Sequence, residues 1–319
     1  MLQKKHVHLV FYDRYFRYLV SRRNRLDDII DYGEVLIKEG LIEDGKLVDE
    51  KGFQNYLEKI VKQKKWKHAH VSLSVSDAFV SIRRHQVPNG LKKEEINAVL
   101  HREAQEVLRL PFQQPIITFD IIRNYETTVE LLVFAYPKDV LQAFLNVFAA
   151  IHLKPIIADI SSLALWRLYQ EVLPDTNYEQ DTLLMQWTKT GLVLAAFENG
   201  LLVFSRHVQL PVENRLWSWS FEREQLKWTG DEEELQALID THLVTMERFN
   251  DFYRYSVQKG NKGIEKIVLA GDFPYMDQAR TALTSFSSLP VDALQNYLPG
   301  TIPRGSSDLA GLVIRGNSK

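Results

Sequence analysis

The chain contains no cysteine. That absence excludes disulfide scaffolds, thiolate zinc sites and cysteine nucleophiles, and it suits a reducing compartment. An excess of charge is missing too: 39 Lys plus Arg stand against 41 Asp plus Glu, for a net charge of -2. A chain so balanced has no overall basic field with which to hold nucleic acid. No stretch reaches the ~18 uncharged apolar residues of a membrane-spanning helix. The longest candidate, 140–153, is shorter and carries Gln142, Asn146 and His152. The opening Met1-Leu2-Gln3-Lys4-Lys5-His6 lacks the apolar core of a secretory signal. What is present is ordinary for a globular protein: 319 residues, 45% hydrophobic and 25% charged, enough for about two domains with full cores. These features predict a soluble intracellular protein.

Hydrophobic patterning predicts a strand meander at 6–12, 15–21 and 28–36, then a loop bracketed by Gly40 and Gly45, then a helix over 52–63 with Phe53, Tyr56, Leu57 and Ile60 at helical spacing. Strands are expected at 69–75 and 79–87, a helix at 92–109, strands at 116–123 and 128–135, and a helix at 138–150. A strand at 154–158 and a helix at 161–172 close the first half. The polar stretch 174–180 reads as a domain boundary. Beyond it the pattern starts again, with strands at 182–187, 192–197 and 201–208, the second and third joined by the turn Glu198-Asn199-Gly200. A long, bent helix over 232–259, a strand ending at Gly271 and a helix over 275–286 follow. Two halves that open alike predict a duplicated α/β architecture.

Several motifs invite a chemical reading. Gly40-Leu41-Ile42-Glu43-Asp44-Gly45-Lys46-Leu47 nearly spells a P-loop, yet Leu47 replaces the magnesium-binding hydroxyl and Glu43-Asp44 put two anions where phosphate would sit. An ordinary loop explains it better. His6-Val7-His8 and His68-Ala69-His70 each place two imidazoles on one side of a strand, but no third ligand is fixed, so no metal is expected. Gly305-Ser306-Ser307-Asp308-Leu309 has Leu309 where a nucleophile elbow needs its second glycine. Asp231-Glu232-Glu233-Glu234 is simplest as an acidic helix start. No catalytic residue is expected.

Lys59, Lys62, Lys64, Lys65 and Lys67 form a basic run around Trp66, and the first 25 residues hold seven basic groups against Asp13. Such a run suits RNA or an anionic membrane face, although a solvated helix end is the commoner outcome. Trp217, Trp219 and Phe221 alternate, with Trp228 close behind; they suit either a core or a partner surface.

The order of elements, together with a set of short motifs, resembles the PilM family of type IV pilus assembly proteins, itself similar to the cell-division protein FtsA. The residues that carry the resemblance are Gly40 through Asp49, Val71-Ser72-Leu73-Ser74, Arg83-Arg84-His85-Gln86-Val87-Pro88 and Lys93-Glu94-Glu95-Ile96. Arg102-Glu103-Ala104, Leu110-Pro111-Phe112, Ala158-Asp159-Ile160 and Ala164-Leu165-Trp166-Arg167 extend it. Gly200 through Arg206, Leu269-Ala270-Gly271 and Leu309 through Arg315 complete it. The resemblance implies an actin-like, ribonuclease H-like fold of two domains. The first spans 1–175 with a subdomain inserted at about 91–154, and the second spans 180–319 with a smaller subdomain at about 212–262.

The family's nucleotide loops are altered here. Its first phosphate loop is Asp-x-Gly followed by small hydroxylic residues; aligned with it are Val10-Phe11-Tyr12-Asp13-Arg14-Tyr15. The carboxylate is lost to Val10, and the close-approach glycine to Tyr12, whose ring would fill the phosphate space. Gln186-Trp187-Thr188 stand at the second loop, and the adenosine loop keeps Gly271 but has Asp272 and Phe273. With only 15 glycines in the chain, three such departures predict weak or no ATP binding, the cleft being plugged by Tyr12, Trp187 and Phe273. No cofactor is expected; ATP with Mg2+ is the alternative, and a sugar-kinase-type enzyme ranks last because Val10 and Gln186 stand where its carboxylates would.

The resemblance implies a non-enzymatic scaffold of a pilus, competence or secretion machine. Such a protein would be cytoplasmic, peripheral at the inner face of the membrane through its partners, and without affinity for nucleic acid. Its expected ligand is the cytoplasmic N-terminal tail of a PilN-like membrane protein, taken in a groove between the first domain and its insertion. The expected groove residues are Leu100, Ala104, Val107, Leu108 and Phe112.

Overall fold

The structure, a computed structural model, describes residues 5–209 and 214–316. Strands β1 (His6–Phe11), β2 (Tyr15–Ser21) and β3 (Ile29–Leu36) are rich in β-branched and aromatic residues and pair antiparallel in chain order. A two-stranded ribbon of β4 (Ile42–Glu43) and β5 (Lys46–Leu47) occupies the glycine-bracketed loop. Helix α1 (Glu50–Lys64) begins where the Asp49 carboxylate accepts from the Gly52 amide, and it ends at Lys65 in the left-handed region. Phe53, Leu57, Ile60 and Val61 are its buried stripe. β6 (His70–Val75) then runs parallel to β1.

Residues Ala78–Asn146 form a compact unit of their own. β7 (Ser81–Pro88), α2 (Lys93–Glu103), β8 (Pro115–Asn124), β9 (Thr128–Pro137) and most of α3 (Lys138–Ala150) belong to it. Its sheet has the order β7-β9-β8, antiparallel throughout. The unit starts before the expected 91 because β7 bonds along its whole length to β9, and it stops before the expected 154. The helix expected over 92–109 stops at Glu103, and Arg109 takes a positive φ of 50°.

The chain returns to the first sheet through β10 (Lys154–Ile160), giving the order β10-β6-β1-β2-β3, and continues into α4 (Ser161–Val172). The second half repeats the plan. β11 (Thr182–Trp187), β12 (Gly191–Glu198) and β13 (Leu201–Gln209) form a meander, followed by a hairpin of β14 (Trp217–Ser220) and β15 (Gln225–Trp228). Then come α5 (Glu232–Phe252), ending in a π-turn at Tyr253–Val257, β16 (Lys266–Gly271), α6 (Met276–Phe286), β17 (Val291–Ala293) and α7 (Ser307–Arg315). The second sheet has the order β13-β12-β11-β16-β17. Counted from the start of each half, both sheets read 3-2-1-4-5, with three antiparallel strands and two parallel ones. The duplication expected from sequence is therefore present at the level of topology.

Both halves belong to one compact unit, residues up to Asp77 and from Val147. β14, β15 and α5 share an apolar cluster with β11, β12 and β16, so the expected subdomain at about 212–262 has no core of its own; residues 212 and 213 lie outside the described residues. Trp217 and Trp228 are buried edge to face at 5.3 Å, Trp219 is half-buried and Phe221 is exposed, so the tryptophans serve mainly as core. Sequence reading assigns no element to 307–315, which the structure makes a helix. Gly311 lets α7 lie against α4: a Cβ there would come within 2.0 Å of the Ala164 carbonyl oxygen.

Candidate functional site

The parallel strands of both sheets end at a cleft between the two halves, where α/β folds usually place ligands. The cleft holds about 430 Å3 and is lined by Arg17, Glu34, Lys189, Asp272, Arg304 and Gly305, among others. Arg17, in the middle of β2, is the residue around which it is organised. Its guanidinium lies between two carboxylates, 2.6 Å from Asp308 and 3.3 Å from Asp272, with 5% of the residue exposed. It also donates to the Gly305 carbonyl and, at 3.1 Å, to the Tyr12 hydroxyl. Tyr15 donates to Asp272 at 2.7 Å, and Tyr12 to Asp308 at 3.3 Å, with the two rings stacked at 4.7 Å.

The electrostatics follow from this packing. Burial lowers the Arg17 pKa, but Asp272 and Asp308 outweigh it, so the group is held well above its usual range and stays cationic. Burial pushes the Asp308 carboxyl up, with Arg17 opposing. The Tyr12 and Tyr15 phenols are raised by burial and by the carboxylates beside them, so both remain neutral donors. A second brace crosses the cleft at Glu34 of β3. Its carboxylate takes the Lys189 ammonium at 2.5 Å and the Leu226 amide at 2.7 Å.

The residues expected at the nucleotide loops have other partners. Val10 is buried against Leu19, Leu309 and Leu312. Tyr12 is engaged by Asp308 and Arg17 and stacks on Tyr15, and it is not among the residues that line the cleft. Trp187 and Phe273 do not plug it in the way sequence suggested. Along β11 the faces alternate, so Leu183, Met185 and Trp187 point into the core of the second half. There the Trp187 ring stacks at 5.2 Å on Phe273 and at 4.3 Å on His242. Phe273 is 3% exposed and reaches the cleft only as part of its wall. Gln186, on the opposite face of β11, lies 2.5 Å from the Ser161 hydroxyl. Thr188 donates to the Gly191 carbonyl and closes the β11–β12 turn. Gly271 has a φ of +129°, and a Cβ there would fall 1.9 Å from the Trp187 carbonyl oxygen, so strand packing alone requires glycine. Asp272 accepts from the Lys189 amide at 3.2 Å as well as from Tyr15.

Two anion-binding arrangements are filled by the chain's own carboxylates. The amides of Asp44 and Gly45, in the P-loop-like segment, both donate at 2.9 Å to Asp13. Asp77 accepts from the amides and hydroxyls of Ser161 and Ser162, and so caps the N-terminus of α4 from a distant element. Sequence reading missed Arg17, Asp77 and the helix that carries Asp308. The charged Arg17 inside the otherwise apolar strand 15–21 was the available signal.

The first histidine pair is packed into the sheet. His6 and His8 stack at 4.4 Å on one face of β1 and bond to Ser72 and Ser21. Among the described residues no group of three or more His, Asp or Glu side chains could hold a metal ion.

Of the five expected groove residues, Leu100, Ala104 and Leu108 are buried in the core of the 78–146 unit, against Leu131, Val133 and Ala135 of its own sheet. They are corrected to core: Leu100 lies on the apolar stripe with which α2 covers the three-stranded sheet, and Ala104 and Leu108, at and beyond the end of α2, close over the same sheet. Phe112 packs partly buried at the edge of that core, while Val107 is 56% exposed.

The doubled 3-2-1-4-5 sheets around a central cleft define an actin-like protein. Two solved structures agree with this fold. The PilM-PilN type IV pilus biogenesis complex matches with a TM-score of 0.71 at 13% identity, covering 100% of this chain and 99% of that one. The ethanolamine utilization protein EutJ from Carboxydothermus hydrogenoformans matches with a TM-score of 0.50 at 10% identity, covering 98% and 90%. A family model for the type IV pilus assembly protein PilM matches residues 19–212, more than half of the chain. The chain belongs to that family. No curated protein matches its sequence significantly. Among the described residues, no helix is long and apolar enough to cross a membrane.

Proposed function

We propose that this chain acts without nucleotide turnover, as a scaffold of a pilus-type assembly machine that holds the cytoplasmic tail of a PilN-like inner-membrane protein. One observation carries the first part: Arg17 sits in the cleft as a built-in cation, shared by Asp272 and Asp308. A magnesium nucleotide needs carboxylates free to face the ion and amides free to face phosphate. Here Asp272 and Asp308 are engaged by Arg17, Tyr15 and Tyr12, Glu34 by Lys189, and the 44–45 amides by Asp13. Tyr12 brings an aromatic ring where close backbone approach requires glycine. The residues present do not fit the group.

The partner reading is supported by membership of the PilM family and by likeness to a PilM-PilN complex. Val107 and Phe112 are the surface part of the expected groove, an apolar edge suited to a short hydrophobic tail segment docking in extended form. Held by such a tail, the chain would lie at the inner face of the membrane.

The test uses a synthetic peptide corresponding to the N-terminal tail of the neighbouring single-span membrane protein. It should bind the full chain without nucleotide, and Val107→Asp with Phe112→Asp should weaken binding at least about tenfold, or ~1.4 kcal/mol. Failure of the wild-type chain to bind would overturn the scaffold reading. Mg-ATP at millimolar concentration should leave Tm unchanged, since a ligand stabilises only the state that binds it. A rise of several degrees would restore the ATP-binding alternative.

A further inference from the structure

The end of the first sheet opposite the cleft carries a rim rich in basic residues. Registers His6↔Ser21, His6↔His70 and Lys154↔His70 place the end of β2 and the starts of β1, β6 and β10 in one row. At ~4.8 Å per strand, that row spans roughly 14 Å. Just beyond it stand Arg22, Arg23 and Arg25 in the loop after β2, Lys65 and Lys67 between α1 and β6, and Lys154 at the start of β10, all exposed. Asp27 and Asp28 share the arginine loop, and Asp27 pairs with Arg25 at 2.6 Å. Among the described residues, Arg22, Arg23, Lys65, Lys67 and Lys154 make no ion pair. Arg22, Arg23 and Arg25 line a shallow hollow of about 340 Å3 together with Asp27 and Asp28, so three cations face two carboxylates there.

We infer that this rim is a docking surface for the anionic face of a phospholipid bilayer, which the chain touches directly and not only through a protein partner. Charge complementarity chooses the occupant: a chain with a net charge of -2 overall gathers these cations in one row, and a single row on strand ends and loops suits a plane. Single-stranded nucleic acid suits it less, because binding there relies on exposed aromatic platforms. Trp66, the aromatic residue inside the basic run, is 1% exposed and packs edge to face on Tyr18 at 4.9 Å. Lys64 is drawn off the rim by Tyr18 and Asp31.

The experiment is co-flotation of the full chain with vesicles of phosphatidylethanolamine containing about a quarter phosphatidylglycerol, against neutral phosphatidylcholine vesicles. Each cation near an anionic surface contributes about fivefold to partitioning. Wild type should float with the anionic vesicles at about 0.1 M salt and lose most of that binding at about 0.5 M. Arg22→Glu, Arg23→Glu and Lys67→Glu together should reduce it at least about 100-fold. Lys65→Glu with Lys154→Glu should reduce it by a smaller factor and guards against misfolding of the triple variant. Arg248→Glu with Arg280→Glu, on α5 and α6, should leave it intact. Equal binding to neutral vesicles, no binding by wild type, or rim variants that bind normally would each overturn the proposal. Binding of an oligonucleotide through these residues, with no flotation, would reassign the rim to nucleic acid. Vesicles contain no protein and the tail peptide contains no lipid, so this result and the scaffold test succeed or fail separately.

Discussion

The two ends of the first sheet treat charge in opposite ways. At the cleft end Arg17 is buried and held by Asp272 and Asp308 of the second half, whereas at the far end Arg22 and Arg23, a few residues along the same chain, are exposed and make no ion pair among the described residues. Charge in the interior must be paired, and pairing across the cleft ties the two halves together. Charge at the rim is bound by no such condition, so its arrangement is left free for an outside partner. If both proposals hold, an actin-like frame loses a small-molecule role at one end and holds an adhesive surface at the other, with no change in the strand plan between them.

The largest effect that would break this comparison is removal of the buried cation. Arg17→Leu leaves two uncompensated carboxylates in the interior, and it should cost about 3–5 kcal/mol of stability, read as a fall in the denaturant midpoint. Adding Asp272→Asn and Asp308→Asn to that variant should recover a good part of the loss, since the penalty lies in the charges left behind. If Arg17→Leu were neutral, the cleft would not be held by its own ions, and the nucleotide-independent reading would lose its main support.

Much of this frame is legible in sequence. The meanders at 6–36 and 182–208 and the Asn199-Gly200 turn follow from alternation and turn chemistry, whereas the boundary read near 174–180 divides no compact units, both halves belonging to one. Family likeness supplied the fold class. The cleft is harder to read. Arg17, Asp272 and Asp308 lie more than 250 positions apart at the extremes and meet only through the packing of two halves, which no local pattern encodes. Trp187 and Gln186 were read as parts of one loop, yet neighbouring strand residues face opposite sides of the sheet, so one became core and the other a partner of Ser161. Helix α7 was missed because Leu309 to Ile314 is a short apolar run, which periodicity cannot assign to strand or helix. The helix 92–109 failed as a groove because amphipathicity shows which face is apolar and not what covers it.

A middle-sized effect concerns the buried face just beneath the rim. His6 bonds to Ser72 and is lowered to about 4, mainly by burial, with a hydrogen bond to Asn24 opposing and His70 adding to it; His8 is held well below its usual value by burial and by His6. A histidine held neutral in the folded state contributes its full stability above the unfolded value of about 6.5. Below that the unfolded chain takes up protons first, so stability should fall as the pH drops from about 6.5 to about 4, and the His6 contribution should level off below that. The loss from His6 is on the order of 2 kcal/mol after allowance for solvent screening. His6→Gln should flatten the slope of unfolding free energy against pH in that window. An unchanged slope would mean that the rim end is governed by its exposed charges and not by the imidazoles below them.

The smallest effect sharpens the contrast most directly. Arg23→Glu reverses a charge only six residues from Arg17, yet Arg23 is exposed and has no ion-pair partner among the described residues. Surface substitutions of that kind stay within about 0.5 kcal/mol. The variant should therefore unfold at the wild-type denaturant midpoint, because the repulsion it relieves at Arg22 and Arg25 is offset by the attraction it loses toward Asp27. A loss of more than about 1 kcal/mol would show that the rim is part of the architecture, in the way Arg17 is, and the separation between a structural end and an adhesive end would fail.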